Sequence, residues 1–132
     1  MALNPKTAVA IRNTALDSFD TLNSGKLRIY DSTQPTDADT ALGSQVLLAD
    51  LALNATAFAA ASSGSKAANA ISDDTSADAT GTASWGSLLT SGNVRKLDYS
   101  VGTSGCNLNL NSVAISSGAT VSVTSFSITL AA

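Results

Sequence analysis

The spacing of apolar residues along the chain changes once, near Gly25, from a helical to a strand period. Before it, Ala8, Ile11, Ala15, Phe19 and Leu22 follow one another at steps of three and four, placing one apolar face on a helix over 4–22. Asn4 suits its N-cap and Pro5 its first turn. Arg12, Asn13, Asp17 and Asp20 fall mostly off the apolar face. Ser24-Gly25 is a stop signal, because glycine readily takes the left-handed conformation that ends helices.

After Gly25 the period is two. Lys26–Tyr30 alternates with Leu27 and Ile29 on one side, which predicts a strand. Residues 31–44 are polar, contain Pro35 and show no period, so they read as a long loop. Gln45–Leu53 carries a nearly continuous apolar run and reads as a strand, its length also compatible with a buried helical turn. Short strands are expected near Ala57–Ala60 and Ala67–Ile71, with a Ser62-Ser63-Gly64 turn between them. A polar connection over 72–81 leads to a strand over Thr82–Leu89 that carries Trp85. Further strands are expected over Asn93–Val101, Asn107–Leu110, Val113–Ile115 and Ala119–Leu130. In the last, the step of three from Val123 to Phe126 breaks the alternation and predicts a bulge or bend. Val121, Val123, Phe126, Ile128 and Leu130 are its core positions, with Phe126 central.

Five glycines, at 25, 64, 92, 105 and 118, follow a serine and separate these strands. Short strands with regular turn signals predict a mainly β fold. The expectation is a single domain over 1–132, with a helix at 4–22 and a β-sandwich or jelly-roll-like body over 25–132.

Composition narrows the chemistry. There is no histidine, which removes His-based triads, imidazole bases and His metal ligands. Seven basic residues, dispersed among ten acidic ones, all Asp, do not make a nucleic-acid footprint. No stretch reaches the roughly 18 apolar residues of a membrane span. Alanine supplies much of the hydrophobic share and aromatics only 5%, so the core is expected to be thin and helped by partner subunits.

No catalytic or cofactor site emerges from the candidates. Asp73, Asp74 and Asp78 lack the alternating spacing of a Ca²⁺ loop and read as a solvated segment bonded to its own backbone; Asp37 and Asp39 read the same way. Cys106 has no cationic neighbour in sequence and reads as an inert packing thiol. Arg95-Lys96 reads as a solvated strand end or as a contact for an acidic neighbour. Trp85 and Tyr99 could stack on a sugar if exposed, but read more readily as core or subunit-interface residues.

Two segments carry a family resemblance. One is Ala70-Ile-Ser-Asp-Asp-Thr-Ser-Ala-Asp-Ala-Thr-Gly-Thr-Ala-Ser-Trp85. The other runs from Val101 to Leu130 and includes Gly-Thr-Ser-Gly-Cys-Asn-Leu-Asn-Leu-Asn-Ser and Thr-Val-Ser-Val-Thr-Ser-Phe-Ser-Ile-Thr. Together with the Ala-rich helix and the Lys-Leu-Arg-Ile-Tyr strand before them, they resemble a family of small structural proteins encoded by tailed bacteriophages. The resemblance implies a non-enzymatic virion component, assembled in the host cytoplasm, with a β-sandwich or jelly-roll body. Its implied role is capsid decoration (cement): binding the major capsid protein shell, as a homo-oligomer and by preference a trimer. A neck, collar or tail position, or a receptor- or sugar-binding module, are the alternatives. The residues expected to meet partners are Ile11, Phe19 and Leu22 on the helix, Pro35 in the 31–44 loop, and Trp85 and Tyr99 on strands. The helix itself could serve as a tether to neighbours or as a plug on the sheet.

Overall fold

A computed structural model describes residues 8–129. Helix α1 (Val9–Asp17) runs into a 3₁₀ segment (Ser18–Leu22). Nine strands follow: β1 (Lys26–Tyr30), β2 (Leu47–Ala52), β3 (Ser65–Ala67), β4 (Gly81–Thr82), β5 (Trp85–Leu89), β6 (Arg95–Gly102), β7 (Leu108–Leu110), β8 (Ala114–Ile115) and β9 (Val123–Thr129). The fold is mainly β with one N-terminal helix, as the change of period predicts.

Seven strands form one curled sheet in the order β2-β1-β5-β6-β7-β9-β3, and β4 and β8 make a small separate ribbon. All pairs are antiparallel except β6–β7. Register puts Leu27 beside Leu51 and Leu88, Ile29 beside Ala49 and Gly86, and Gly86 beside Tyr99. Val101 stands beside Leu108, and Leu108 beside Phe126. Residues opposite one another across a ladder share a face, so this chain of pairs is the inner surface of the sheet. Curling brings its two halves together: Tyr99 and Phe126 meet at 4.8 Å between ring centroids, and Phe58 and Phe126 at 6.0 Å. The result is a sandwich-like body around one continuous core.

Loops seal both edges. The edge of β3 is covered by residues 58–62, through a hairpin in which Ser62 and Ser65 exchange two 2.9 Å hydrogen bonds. Its central residues, Ser63 and Gly64, both have positive φ, as a two-residue hairpin turn of this hand requires. The edge of β2 is covered by residues 72–78. Leu48 and Ala52 accept from the N–H groups of Asp78 and Ser72, and the Asp50 N–H donates to the Asp74 carboxylate at 3.0 Å. Asp74 also exchanges backbone hydrogen bonds with Val121, so this one segment ties β2 to the stretch that leads into β9. The expectation of a merely solvated loop is corrected here for Asp74, which joins two parts of the body; Asp73 and Asp78 stay exposed.

The observed strands differ from the expected ones mainly at their ends. The 45–53 run is a strand, trimmed to 47–52. The 57–60 stretch makes only an isolated bridge, Phe58 to Ala68, and the strand expected at 67–71 lies at 65–67. The 82–89 strand is split into β4 and β5. The bulge is where the pattern puts it: Asn109 faces Ser125 and Leu110 faces Val123, leaving Thr124 as the extra residue. Val121, Phe126 and Ile128 are buried and Val123 is half-buried, while Leu130 lies outside the described residues.

The helix departs further. Asn4 and Pro5 lie outside the described residues. From Ala8 on, helix α1 is rotated relative to its expected face: Leu16 is fully buried, Arg12 and Asn13 are half-buried, and Ala8, Ile11 and Ala15 face solvent. The cause is Lys66. It points inward from β3, opposite Ile128, with a fully buried side chain, and its ammonium is met by Asp17 at 2.7 Å and Asp20 at 3.1 Å. A buried charge needs an opposite one, and supplying two carboxylates fixes which side of the helix turns inward. Phe19 is half-buried against the core and Leu22 is fully buried. The chain leaves the helix with positive φ at Ser24, not at Gly25. Gly25 is required for space instead: a Cβ there would lie 2.3 Å from the Leu89 carbonyl oxygen and 2.7 Å from that of Leu22.

Gly86 has a similar steric role inside the sheet. A Cβ on it would lie 2.5 Å from the Tyr99 ring and 2.7 Å from the Arg28 carbonyl oxygen. Gly86→Ala should therefore cost about 1–3 kcal/mol of stability, as overpacking of a filled core does, measured as a lowered urea midpoint at unchanged slope.

Candidate interaction surface

The 31–46 loop is long and polar, yet it is held against the outer face of β5 and β6. Inside the loop, the Asp37 carboxylate accepts from the Asp39 and Thr40 N–H groups and from the Thr40 hydroxyl, at 2.8–3.1 Å. The Thr40 hydroxyl, with the backbone donors, holds that carboxyl below its ordinary pKa. This self-capping is what the sequence predicts for Asp37. Gln45 spans the loop, accepting from Gly43 N–H and donating to the Thr33 carbonyl, both at 2.7 Å. Asp31 closes it by accepting from Val46 N–H at 2.7 Å.

The sheet supplies the clamp. Trp85 is 1% exposed, stacks on Tyr30 at 4.6 Å, and donates its indole N–H to the Asp31 carbonyl at 3.0 Å. Ser84 Oγ donates to the Ser32 carbonyl. Arg95 lies 5.8 Å from the Trp85 ring centroid and donates to the carbonyls of Thr40 and Asp37. Behind it, Asp98 accepts from the Arg95 guanidinium and from the Ser87 hydroxyl, whose oxygen in turn faces Arg95 Nε at 3.3 Å. Ser87 is completely buried and the Asp98 side chain 3% exposed. Arg95 is thus a loop anchor, which corrects its reading as a solvated strand end. Lys96 beside it is exposed and is the extra residue of a second bulge, between the Leu88–Leu97 and Leu89–Arg95 pairs.

The expected partner contacts separate on this basis. Trp85 and Tyr99 are buried, which corrects their assignment as contacts and removes the sugar-stacking reading that needed one of them exposed. Tyr99 lies under β1 and β5, donating to the Arg28 carbonyl at 3.2 Å, and burial pushes its phenol well above the usual range. Leu22 is likewise core, because the 3₁₀ segment turns it inward. Phe19 and Pro35 are half-buried and Ile11 is exposed. The exposed large apolar side chains among the described residues are Val9 and Ile11 on α1, Leu42 and Val46 in the clamped loop, and Val94 beside Arg95. Composition alone does not pick out Leu42, Val46 or Val94; exposure depends on what the loop leaves uncovered.

Among the described residues, two of the surface clefts are well formed. One of about 170 Å³ lies between residues 68–71 and 123–126, the other of about 70 Å³ between 111–115 and 119–121. Both fall short of the roughly 300 Å³ at which small-molecule pockets begin. Cys106 is half-buried, with Sγ where a side chain on Gly102 would otherwise sit. Among the described residues no three His, Cys or Asp side chains gather as a metal site, and no helix is long and apolar enough to cross a membrane. Comparison with family models, with curated proteins and with solved structures finds no match to this chain.

Proposed function

We propose that this protein is a structural component of a tailed-bacteriophage virion, a decoration (cement) protein that binds the major capsid protein shell as a homo-oligomer, by preference a trimer. The observation that carries the proposal is the clamped 31–46 loop. It holds Leu42 and Val46 in solvent on a preformed backbone, with Pro35 half-buried in the same loop. A loop held on many hydrogen bonds that exposes apolar side chains suits a protein partner better than a small molecule. The resemblance of residues 70–85 and 101–130 to phage structural proteins supports the same reading. Those segments supply the Asp74 closure, the Trp85 anchor and the bulged β9, the parts that keep the body closed and the loop in place.

The test is to add purified protein to shells that lack it. Saturable co-sedimentation is expected, with a fixed copy number per shell and a higher temperature of shell breakage. Reconstructed particles should place the density between capsomers. Density confined to a ring at one vertex, or to the tail, would replace the decoration role by a neck or tail role. No association with shells or other virion parts would overturn the proposal.

A further inference from the structure

Helix α1 is docked by charge more than by apolar surface. Among its nine residues only Leu16 is fully buried, while Val9 and Ile11 are 45% and 62% exposed. Its other attachments are polar. Asn13 Oδ1 accepts from Gly64 N–H at 3.0 Å, and Asp17 Oδ1 accepts from Ala61 N–H at 3.2 Å and from Lys66 Nζ. The helix starts at Ala8 without a side-chain cap, so little local propensity holds it. Past Asp20 the anchoring changes in kind: Leu22 is core, Asn23 Oδ1 accepts from Ala57 N–H at 2.9 Å, and Ser24 N–H donates to the Asn54 carbonyl at 2.9 Å. The 3₁₀ segment joins the two; it carries Asp20, the half-buried Phe19 and, at its end, Leu22.

We propose that residues 8–20 form a strap that opens as a unit about the end of the 3₁₀ segment, where Leu22–Ser24 are anchored, while the β body stays folded, and that Asp17, Lys66 and Asp20 are its clasp. Both carboxylates are half-exposed and in reach of solvent protons, whereas the Lys66 side chain is fully enclosed. Protonating the carboxylates leaves a buried ammonium without a counter-charge, a strongly unfavourable state that lifting the strap relieves by letting water in. Among the described residues, those that flank Lys66 on the sheet and cover β3 carry no titratable side chain: Ile128 on β9, Ser65 and Ala67 on β3, and the Ala59, Ala61 and Ser62 stretch. Arg12, half-buried on the inner side of α1, is the other charged side chain on this face of the helix.

The pH sense follows from the contacts. The hydrogen bond from Lys66, and then that from Ala61 N–H, hold Asp17 below its ordinary 3.8. The Asp17 half of the clasp is therefore complete above that ordinary value and lost as pH falls through the lowered one. Burial disfavours the charge on Lys66, but the hydrogen bonds to Asp17 and Asp20 outweigh it and raise the ammonium above its ordinary 10.5. On the alkaline side the clasp persists until pH rises through that raised value.

Amide hydrogen exchange, corrected for intrinsic rates, reads strap and body separately. In the Asp17→Asn/Asp20→Asn double variant near pH 7, amides of 9–20 should exchange about ten-fold faster than in the wild type, with β1, β5 and β6 unchanged. Lys66→Met removes the buried charge, so its strap should stay protected in acid that releases the wild-type strap. Equal strap protection in the wild type and the double variant would overturn the proposal. So would joint loss of protection in strap and body, or a Lys66→Met strap that still opens with the wild-type acid dependence.

Discussion

Phe126→Ala should lower the free energy of unfolding by about 3–5 kcal/mol, the range for emptying a large aromatic site in a packed core. Phe126 is 4% exposed and joins the two halves of the curled sheet, touching Tyr99 on β6 and Phe58 on the segment that covers β3. Neither neighbour can collapse into the gap cheaply. Tyr99 is seated on Gly86 and bonded to the Arg28 carbonyl, and Phe58 is held by its bridge to Ala68. Urea unfolding of variant and wild type measures the loss. A change under about 1 kcal/mol would mean that the two halves are not held together through this residue.

Trp85→Ala should cost a similar amount, about 3–5 kcal/mol, with a different distribution. Trp85 lies on the outer face of the sheet, so its removal unseats the 31–46 loop before it disturbs the inner core. The substitution deletes the stack on Tyr30, the bond to the Asp31 carbonyl and the surface beneath Arg95. Limited proteolysis should show early cleavage within 31–46, and the proposed shell binding should fall even at temperatures where the body remains folded. Trp85→Phe keeps the stack but loses the indole donor, so it should show a partial effect on both. A loop that stays resistant to protease in Trp85→Ala would mean that Arg95 and Asp31 suffice to hold it.

Much of the strand content is legible in the chain because period-two alternation is a local consequence of the pleat. Leu27 and Ile29, Leu108 and Leu110, and Phe126 and Ile128 each announce their own face. The bulge at Thr124 is legible for the same reason, since an extra residue must shift the alternation by one. Serine-glycine pairs mark turns correctly at 63–64, 104–105 and 117–118, where the glycine takes positive φ. At 24–25 the serine takes it, and after Ser91-Gly92 it falls on Asn93. The pair signals that the chain turns; the hydrogen bonding of the flanking segments decides which residue bends.

The candidate surface was legible only in outline. A long polar loop with Pro35 is visible in the sequence, but its clamping is not, because Arg95 reaches Thr40 across 55 positions and Trp85 reaches Asp31 across 54. Nothing local distinguishes an aromatic that packs on the outer face from one that waits for a ligand. Trp85, Tyr99 and Leu22 were therefore open to a contact role until the sheet enclosed them.

The amino-acid sequence by itself determined a β body with one N-terminal helix, the strand faces and the bulge, because each depends on neighbours a few residues apart. Tertiary structure alone decided which side of the helix turns inward. The helical period around Ile11 and Ala15 favours one face, but Lys66, 49 positions from Asp17, is buried and charged, and its demand for two carboxylates rotates the helix to the other. The closure of the sheet by Asp74 was decided in the same way. A carboxylate in a polar run becomes a joint only when the Asp50 N–H on β2 is brought within 3.0 Å of it. Local periodicity selects elements; the pairing of buried charges and hydrogen-bonding groups across long separations selects how they meet.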